Sequence, residues 1–186
     1  MSLLLGACAV QPSARLPALD DWESRQRVLG SLPGWEVSGR IAVSDGNDGF
    51  NGNLRWQQTG GAFDARLSGP LGAGAVQIKG NDQHITVVEK DGTVTDLHNP
   101  EYDLRARFGW AIPVSSLRYW VLGIPDPSLA ANPQFGDDGL LSQMEQGGWT
   151  VTIGAYGEGG GQAMPRRISA VRADSRVRLV IDRWIF

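Results

Sequence analysis

Few side chains in this sequence are of the kinds that do covalent chemistry. His84 and His98 are its two histidines and Cys8 its one cysteine, in 186 residues. Two isolated histidines and one cysteine cannot supply the usual N/S spacing of a zinc site. A catalytic triad would need one of the histidines to meet a serine and an acid, and no G-x-S-x-G elbow occurs. Gly157-Glu158-Gly159-Gly160-Gly161 lacks the Lys-Ser/Thr and following helix of a phosphate loop and reads as a hairpin end. Asp20-Asp21 and Asp137-Asp138 are adjacent carboxylates of the sort that serve helix starts and solvated loops. No constellation for acid–base work emerges, so catalysis, a metal and a cofactor are not expected.

Two other places invite chemistry of a different kind. Leu5-Gly6-Ala7-Cys8, an apolar residue and two small ones before a cysteine, has the form of a bacterial lipobox. Small side chains suit a signal peptidase, and the thiol takes a diacylglyceryl thioether. Only seven residues precede Cys8 and none is charged, whereas a secretory signal has a basic start and a longer apolar stretch. The second place is Gly69-Pro70-Leu71-Gly72, a Pro-containing turn with a leucine where a polar residue is expected. Leu71 either folds back onto a sheet or projects as a single exposed apolar side chain. Burying one leucine in lipid contributes about 1.5–3 kcal/mol, enough for a reversible touch and too little for an anchor.

Composition narrows the partners. The net charge is −3 and no run of the chain concentrates basic residues, so nucleic acid is not expected as a ligand. No stretch approaches the roughly 20 apolar residues that span a bilayer, so membrane attachment has to be peripheral or covalent. The single cysteine allows no internal disulfide. The length suits one domain with a sizeable core, expected to be a monomer.

The elements that would position these residues are mostly strands. Residues 9–18, with two prolines and no period, read as a tether behind a residual signal and lipobox, which makes 1–18 one segment and 19–186 a single domain. Leu19, Trp22, Val28, Leu29 and Leu32 recur at helical spacing, and Pro33-Gly34 stops the helix. From Trp35 the period becomes two. Trp35, Val37, Gly39, Ile41 and Val43 form one face, then Phe50, Gly52, Leu54 and Trp56, then Phe63, Ala65 and Leu67. Shorter strands are expected near 75–80, 83–89 and 93–97. Asn99-Pro100 starts a helix that Gly109 ends, and 115–123 reads as another short helix. A loop rich in Pro, Asp and Gly runs to about Gly139. Strands return at 140–145, 149–156, 168–173 and 177–185, the last with Val177, Leu179, Ile181 and Ile185 on one face.

Strands with one apolar face, in this number, describe a mainly β fold. We expect a half-open antiparallel barrel of about 10–11 strands, lidded by about three short helices around an apolar cavity. The cavity wall is expected from Ile41, Leu54, Trp56, Leu67, Val76, Trp120 and Trp149.

An ordered set of residues then carries a resemblance. Trp35-x3-Gly39-Arg40-Ile41-Ala42, Trp56, Gly69-Pro70-Leu71-Gly72, Ile112-Pro113-Val114, Leu117, Trp120, Gly123, Gly148-Trp149, Met164-Pro165 and Asp182-Arg183-Trp184 follow in this order. Together they resemble the outer-membrane lipoprotein receptor family LolB, over nearly the whole chain. The resemblance implies a receptor that accepts lipoproteins from a LolA-like periplasmic carrier, holds their acyl chains and inserts them into the outer membrane without ATP. It implies that Cys8 is the lipidated residue and that Leu71, on the Gly69–Gly72 turn, acts in membrane delivery. The other readings are a periplasmic carrier of a different lipid or hydrophobic ligand, or an enzyme such as an esterase.

Overall fold

The computed structural model describes residues 14–69, 75–81, 84–110 and 112–186. Eleven strands form one antiparallel sheet, and three helices accompany it. Helix α1 spans Trp22–Gly30, shorter than the apolar period suggests. The Asp21 carboxylate accepts the backbone N–H of Ser24 at 2.7 Å and fixes the start, leaving Leu19 buried ahead of the helix. Strands β1 (Gly34–Asp45), β2 (Asp48–Thr59), β3 (Ala62–Ser68), β4 (Val76–Gly80), β5 (Ile85–Glu89) and β6 (Val94–Leu97) form a meander. Helices α2 (Pro100–Phe108) and α3 (Val114–Trp120) follow. A second meander comprises β7 (Ala131–Phe135), β8 (Leu141–Gln146), β9 (Trp149–Gly159), β10 (Gln162–Arg172) and β11 (Ser175–Ile185).

The two meanders join where β1 pairs with β11, giving the order β6-β5-β4-β3-β2-β1-β11-β10-β9-β8-β7. The edge strands β6 and β7 do not pair with each other, so the sheet is an open arc. Between them the chain runs from one edge to the other through α2 and α3. Those helices therefore cross the inner side of the arc, which is how a mainly antiparallel sheet obtains a lid. Helix α2 buries only Leu104. It is held largely by charge, with Arg105 on Asp45 and on Ser175, Arg107 on Glu89, and Arg172 of β10 on Glu101. Its ends match the sequence signals. Asn99 caps the first turn, Pro100 opens it, and Gly109 closes it at φ 72°.

Three further features depart from the sequence reading, each for a local reason. Strand β7 lies in the stretch expected to be loop; Pro133 is tolerated there because β7 pairs only with β8 and needs no donor on its free side. Helix α3 ends at Trp120, before the turn in which Gly123 takes φ 74°. The inward face of β11 changes phase near its end. Ser38 pairs with Arg183 but Gly39 with Ile181, so Asp182 is an extra residue in the ladder. Trp184, not Ile185, is consequently the buried residue. Gly39 is required at this crossing, since a Cβ there would lie 2.0 Å from the Val180 carbonyl oxygen.

The start of the described chain is docked on the sheet. Ala14 N donates to Phe186 O at 3.0 Å and Leu16 N to Gly160 O at 2.8 Å, with the Leu16 and Leu19 side chains buried. The part of the expected tether from Ala14 onward thus lies against the domain.

Candidate functional site

The inner faces of β1 to β4 converge under the helical segment. Ile41 from β1, Leu54 and Trp56 from β2, Ala65 and Leu67 from β3 and Ile78 from β4 form one wall. Ile112 ahead of α3, with Val114 and Leu117 of α3, forms the other. Together they enclose a slot with only about 10 Å³ of free space, lined by apolar side chains alone. Ligand pockets ordinarily occupy roughly 300–1,000 Å³, so a slot of this size is nearly collapsed and must widen to hold a chain of any length. An apolar slot offers no hydrogen bond to water and is dry when narrow.

Beside the slot lies an open depression of about 370 Å³. Leu29, Leu32, Trp35, Gln58, Tyr119 and Leu122 are among its lining residues, and Arg118 stacks over the Tyr119 ring at 4.6 Å. Strand β2 places Trp56 in the slot and Gln58 in the depression, while α3 places Leu117 in one and Arg118 in the other. The Trp35 and Trp56 rings meet at 5.8 Å. Trp56 Nε1 donates to Gln58 Oε1 at 3.2 Å, and Gln58 Nε2 donates to Gly60 O at 2.8 Å, so the polar atoms at this boundary are satisfied.

The expected wall residues divide. Ile41, Leu54, Trp56 and Leu67 line the slot. Val76 is half-buried at the start of β4, opposite Leu67 in register, and is not among the lining residues. Trp120 and Trp149 belong elsewhere. They pack on each other at 6.1 Å in the core beneath the second meander. Trp120 is fixed there by a hydrogen bond from Nε1 to Gln146 Oε1 at 2.7 Å. Gln146 also accepts Asp126 N at 2.9 Å, and its amide donates to Asp126 O and Leu129 O. Asp126 in turn accepts the Ser116 hydroxyl at 2.8 Å. This buried network pins both ends of α3 and holds the lid over the slot.

Ala65, Ile78, Ile112, Val114 and Leu117 complete the site. Ala65 carried a readable signal, as the one small residue in the inward series Phe63, Ala65, Leu67. Of the turn expected to act at the membrane, Gly69 is buried after β3. Pro70, Leu71 and Gly72 lie outside the described residues, as does Cys8. His84 and His98 are exposed, with His84 Nε2 3.3 Å from Asp96. Among the described residues, no three His, Cys, Asp or Glu side chains converge as metal ligands would. No helix among them is long and apolar enough to cross a membrane.

Buried polar groups cluster on the α1 side. Arg25 is buried and donates from Nη2 to Ala163 O at 2.8 Å, its guanidinium 5.8 Å from the Tyr156 ring. Burial pulls Arg25 below the usual guanidinium range. Burial likewise raises the Tyr156 hydroxyl well above the ordinary phenol value, against the opposing pull of Arg25.

Comparison with known proteins agrees with this geometry. Two solved structures share the fold at under 10% identity. One is a DUF1329 family protein from Desulfovibrio piger, with TM-score 0.58 at 7% identity, covering 87% of this chain and 89% of that one. The other is a LolA superfamily protein from Nitrosomonas europaea, with TM-score 0.54 at 8% identity, covering 84% and 87%. In sequence, the outer-membrane lipoprotein LolB of Nitrosococcus oceani is 35% identical over 185 residues, 98% of this chain and 92% of the relative. That of Stutzerimonas stutzeri is 32% identical over 185 residues, 98% and 90%. The family model described as outer membrane lipoprotein LolB matches residues 33–184, from the start of β1 to the buried tryptophan near the end of β11. This chain belongs to the outer-membrane lipoprotein LolB family.

Proposed function

We propose that this protein is a lipid-anchored receptor of the outer membrane that accepts lipoproteins from a LolA-like periplasmic carrier and inserts them into that membrane. The supporting observation is the slot lined only by apolar side chains beneath a pinned helix, in a chain of this family. Such a slot suits an acyl chain and no polar substrate. Each methylene hidden from water is worth about 0.8 kcal/mol, so a dozen amount to roughly 10 kcal/mol. Release through water is prohibitive on that scale, and transfer has to run from cavity to cavity and then from cavity to bilayer. Neither step needs a reacting group, and the reading assigns none.

In this reading Cys8 carries the anchor and Leu71 makes the brief contact with lipid that starts delivery. Two substitutions separate acceptance from delivery. Ala65→Phe fills the slot and is expected to abolish acceptance from the carrier while the fold persists by circular dichroism. Leu71→Glu is expected to accept normally and to fail in a liposome transfer assay. Normal acceptance by Ala65→Phe would remove the slot from the mechanism, and normal delivery by Leu71→Glu would remove the loop.

A further inference from the structure

The sequence scatters its arginines, but the sheet gathers them. On the outer face of β3, β2, β1, β11 and β10, alternation places Arg66, Arg55, Arg40, Arg176, Arg178, Arg183 and Arg167, all exposed. The acids on this face are Glu36, Asp64 and Asp182, and each already binds an arginine. Arg55 pairs with Glu36 at 3.0 Å, Arg66 with Asp64 at 3.3 Å, and Arg40 with Asp182 at 3.6 Å. Asp45, at the hairpin end of β1, is held by Arg105. Arg167, Arg176, Arg178 and Arg183 have no ion pair among the described residues.

Seven arginines against three acids leave this face at +4, in a chain whose net charge is −3. The arrangement is costly within the protein. Arg55 stands directly opposite Arg66, and like charges in that position are mutually destabilising. Between the arginines lie Ser38, Ala42, Asn53, Ser169 and Val180, and no aromatic side chain faces outward from these strands. A specific protein partner would want large aromatic anchors, which this face does not present; its depression of about 500 Å³ between Arg40, Asn53, Arg178 and Val180 is wide and open. A broad spread of guanidinium groups over small side chains fits a surface of repeated phosphates.

We propose that this outer face of the sheet is an adsorption surface for anionic phospholipid headgroups, laying the protein against the membrane along β11. The inference rests on the outer-membrane anchorage proposed above. Each cation brought to an anionic lipid surface is worth roughly a fivefold gain in partitioning, screened by salt over about 8–10 Å.

The test uses the full chain without its anchor, as Cys8→Ala, and vesicles of phosphatidylethanolamine and phosphatidylcholine with or without phosphatidylglycerol. Sedimentation is expected to show binding that requires phosphatidylglycerol and weakens steeply with salt. Arg176→Ser with Arg178→Ser should lower it about 25-fold, two fivefold steps. Arg176→Lys with Arg178→Lys should retain it. Equal binding to vesicles lacking phosphatidylglycerol, or a serine variant that binds unchanged, overturns the proposal. So does an absence of vesicle binding in a protein whose serine variant instead loses its complex with the carrier, which would assign the face to an acidic protein. Carrier-to-acceptor transfer is scored on these samples and on the unsubstituted, acylated protein. Intact transfer with failed adsorption sinks this inference alone, whereas failed transfer by the unsubstituted, acylated protein sinks the receptor reading.

Discussion

Arg25 of α1 is buried and Tyr156 of β9 half-buried beside it, and the burial of the phenol has a consequence that titration can read. The Tyr156 hydroxyl donates to Leu141 O at 2.9 Å, and burial raises its pKa above the ordinary value near 10. The unfolded chain therefore ionises first. The contribution of Tyr156 to stability is complete below about pH 10 and is lost as pH rises beyond it. Tyr156→Phe is expected to remove that alkaline loss, at a cost of about 1 kcal/mol near neutrality from the unpaired carbonyl. Urea unfolding followed across alkaline pH measures both; the same alkaline slope in wild type and variant would show that Tyr156 is not its source. At this scale the slot was legible in part. Ile41, Leu54, Trp56 and Leu67 were legible because alternation reports which face a side chain takes. Trp120 and Trp149 lie beneath the second meander and not in the slot, because alternation cannot report where along an eleven-strand arc that face lies. Arg25 was invisible, since its partners are the Ala163 carbonyl and the Tyr156 ring, far away in the chain.

Among the elements, α3 matters most because it is both lid and wall, and one glutamine holds it. Gln146 satisfies Trp120 Nε1, the Asp126 amide and two carbonyls at once. Gln146→Leu has a similar volume but leaves those groups unpaired in the core. At about 1–3 kcal/mol for each of the four buried groups left unsatisfied, the variant is expected to lose at least about 4 kcal/mol. Amide exchange at 117–122 should quicken beyond what the global loss predicts; uniform acceleration would mean that Gln146 stabilises the core without specifically positioning the lid. Elements carrying their own signals were legible, as with the Asn99, Pro100 and Gly109 punctuation of α2. Elements set by a neighbour were not. Strand β7 exists because β8 offers an edge, and the phase change that buries Trp184 arises from the crossing of β11 with Gly39.

For the whole molecule, the open arc makes occupancy and stability the same quantity. Among the described residues the two meanders pair as strands only along the β1–β11 ladder, and the slot between sheet and lid holds almost no free space. A ligand that binds only the folded form stabilises it by about 2.7 kcal/mol at a hundredfold excess over its dissociation constant. For a domain of this size that is a rise in Tm of roughly 5–11 °C. A single-chain acyl amphiphile below its micelle concentration should produce such a rise in scanning calorimetry, and Ala65→Phe should show none. An equal rise in both proteins would place the ligand outside the slot.

The docking of Ala14 on Phe186 and Leu16 on Gly160 has a consequence for how often the protein meets its membrane. With Cys8 carrying the anchor, as proposed above, six residue steps to Ala14 (14 minus 8) make a leash of at most about 21 Å. Ala14 itself lies beside Phe186 at the end of β11, the strand bearing Arg176, Arg178 and Arg183. A leash so short turns surface contact into an intramolecular event at millimolar effective concentration. Contacts far too weak to recruit the free domain would then keep an anchored one pressed to lipid most of the time, and a modest change in headgroup charge or salt would be enough to lift it.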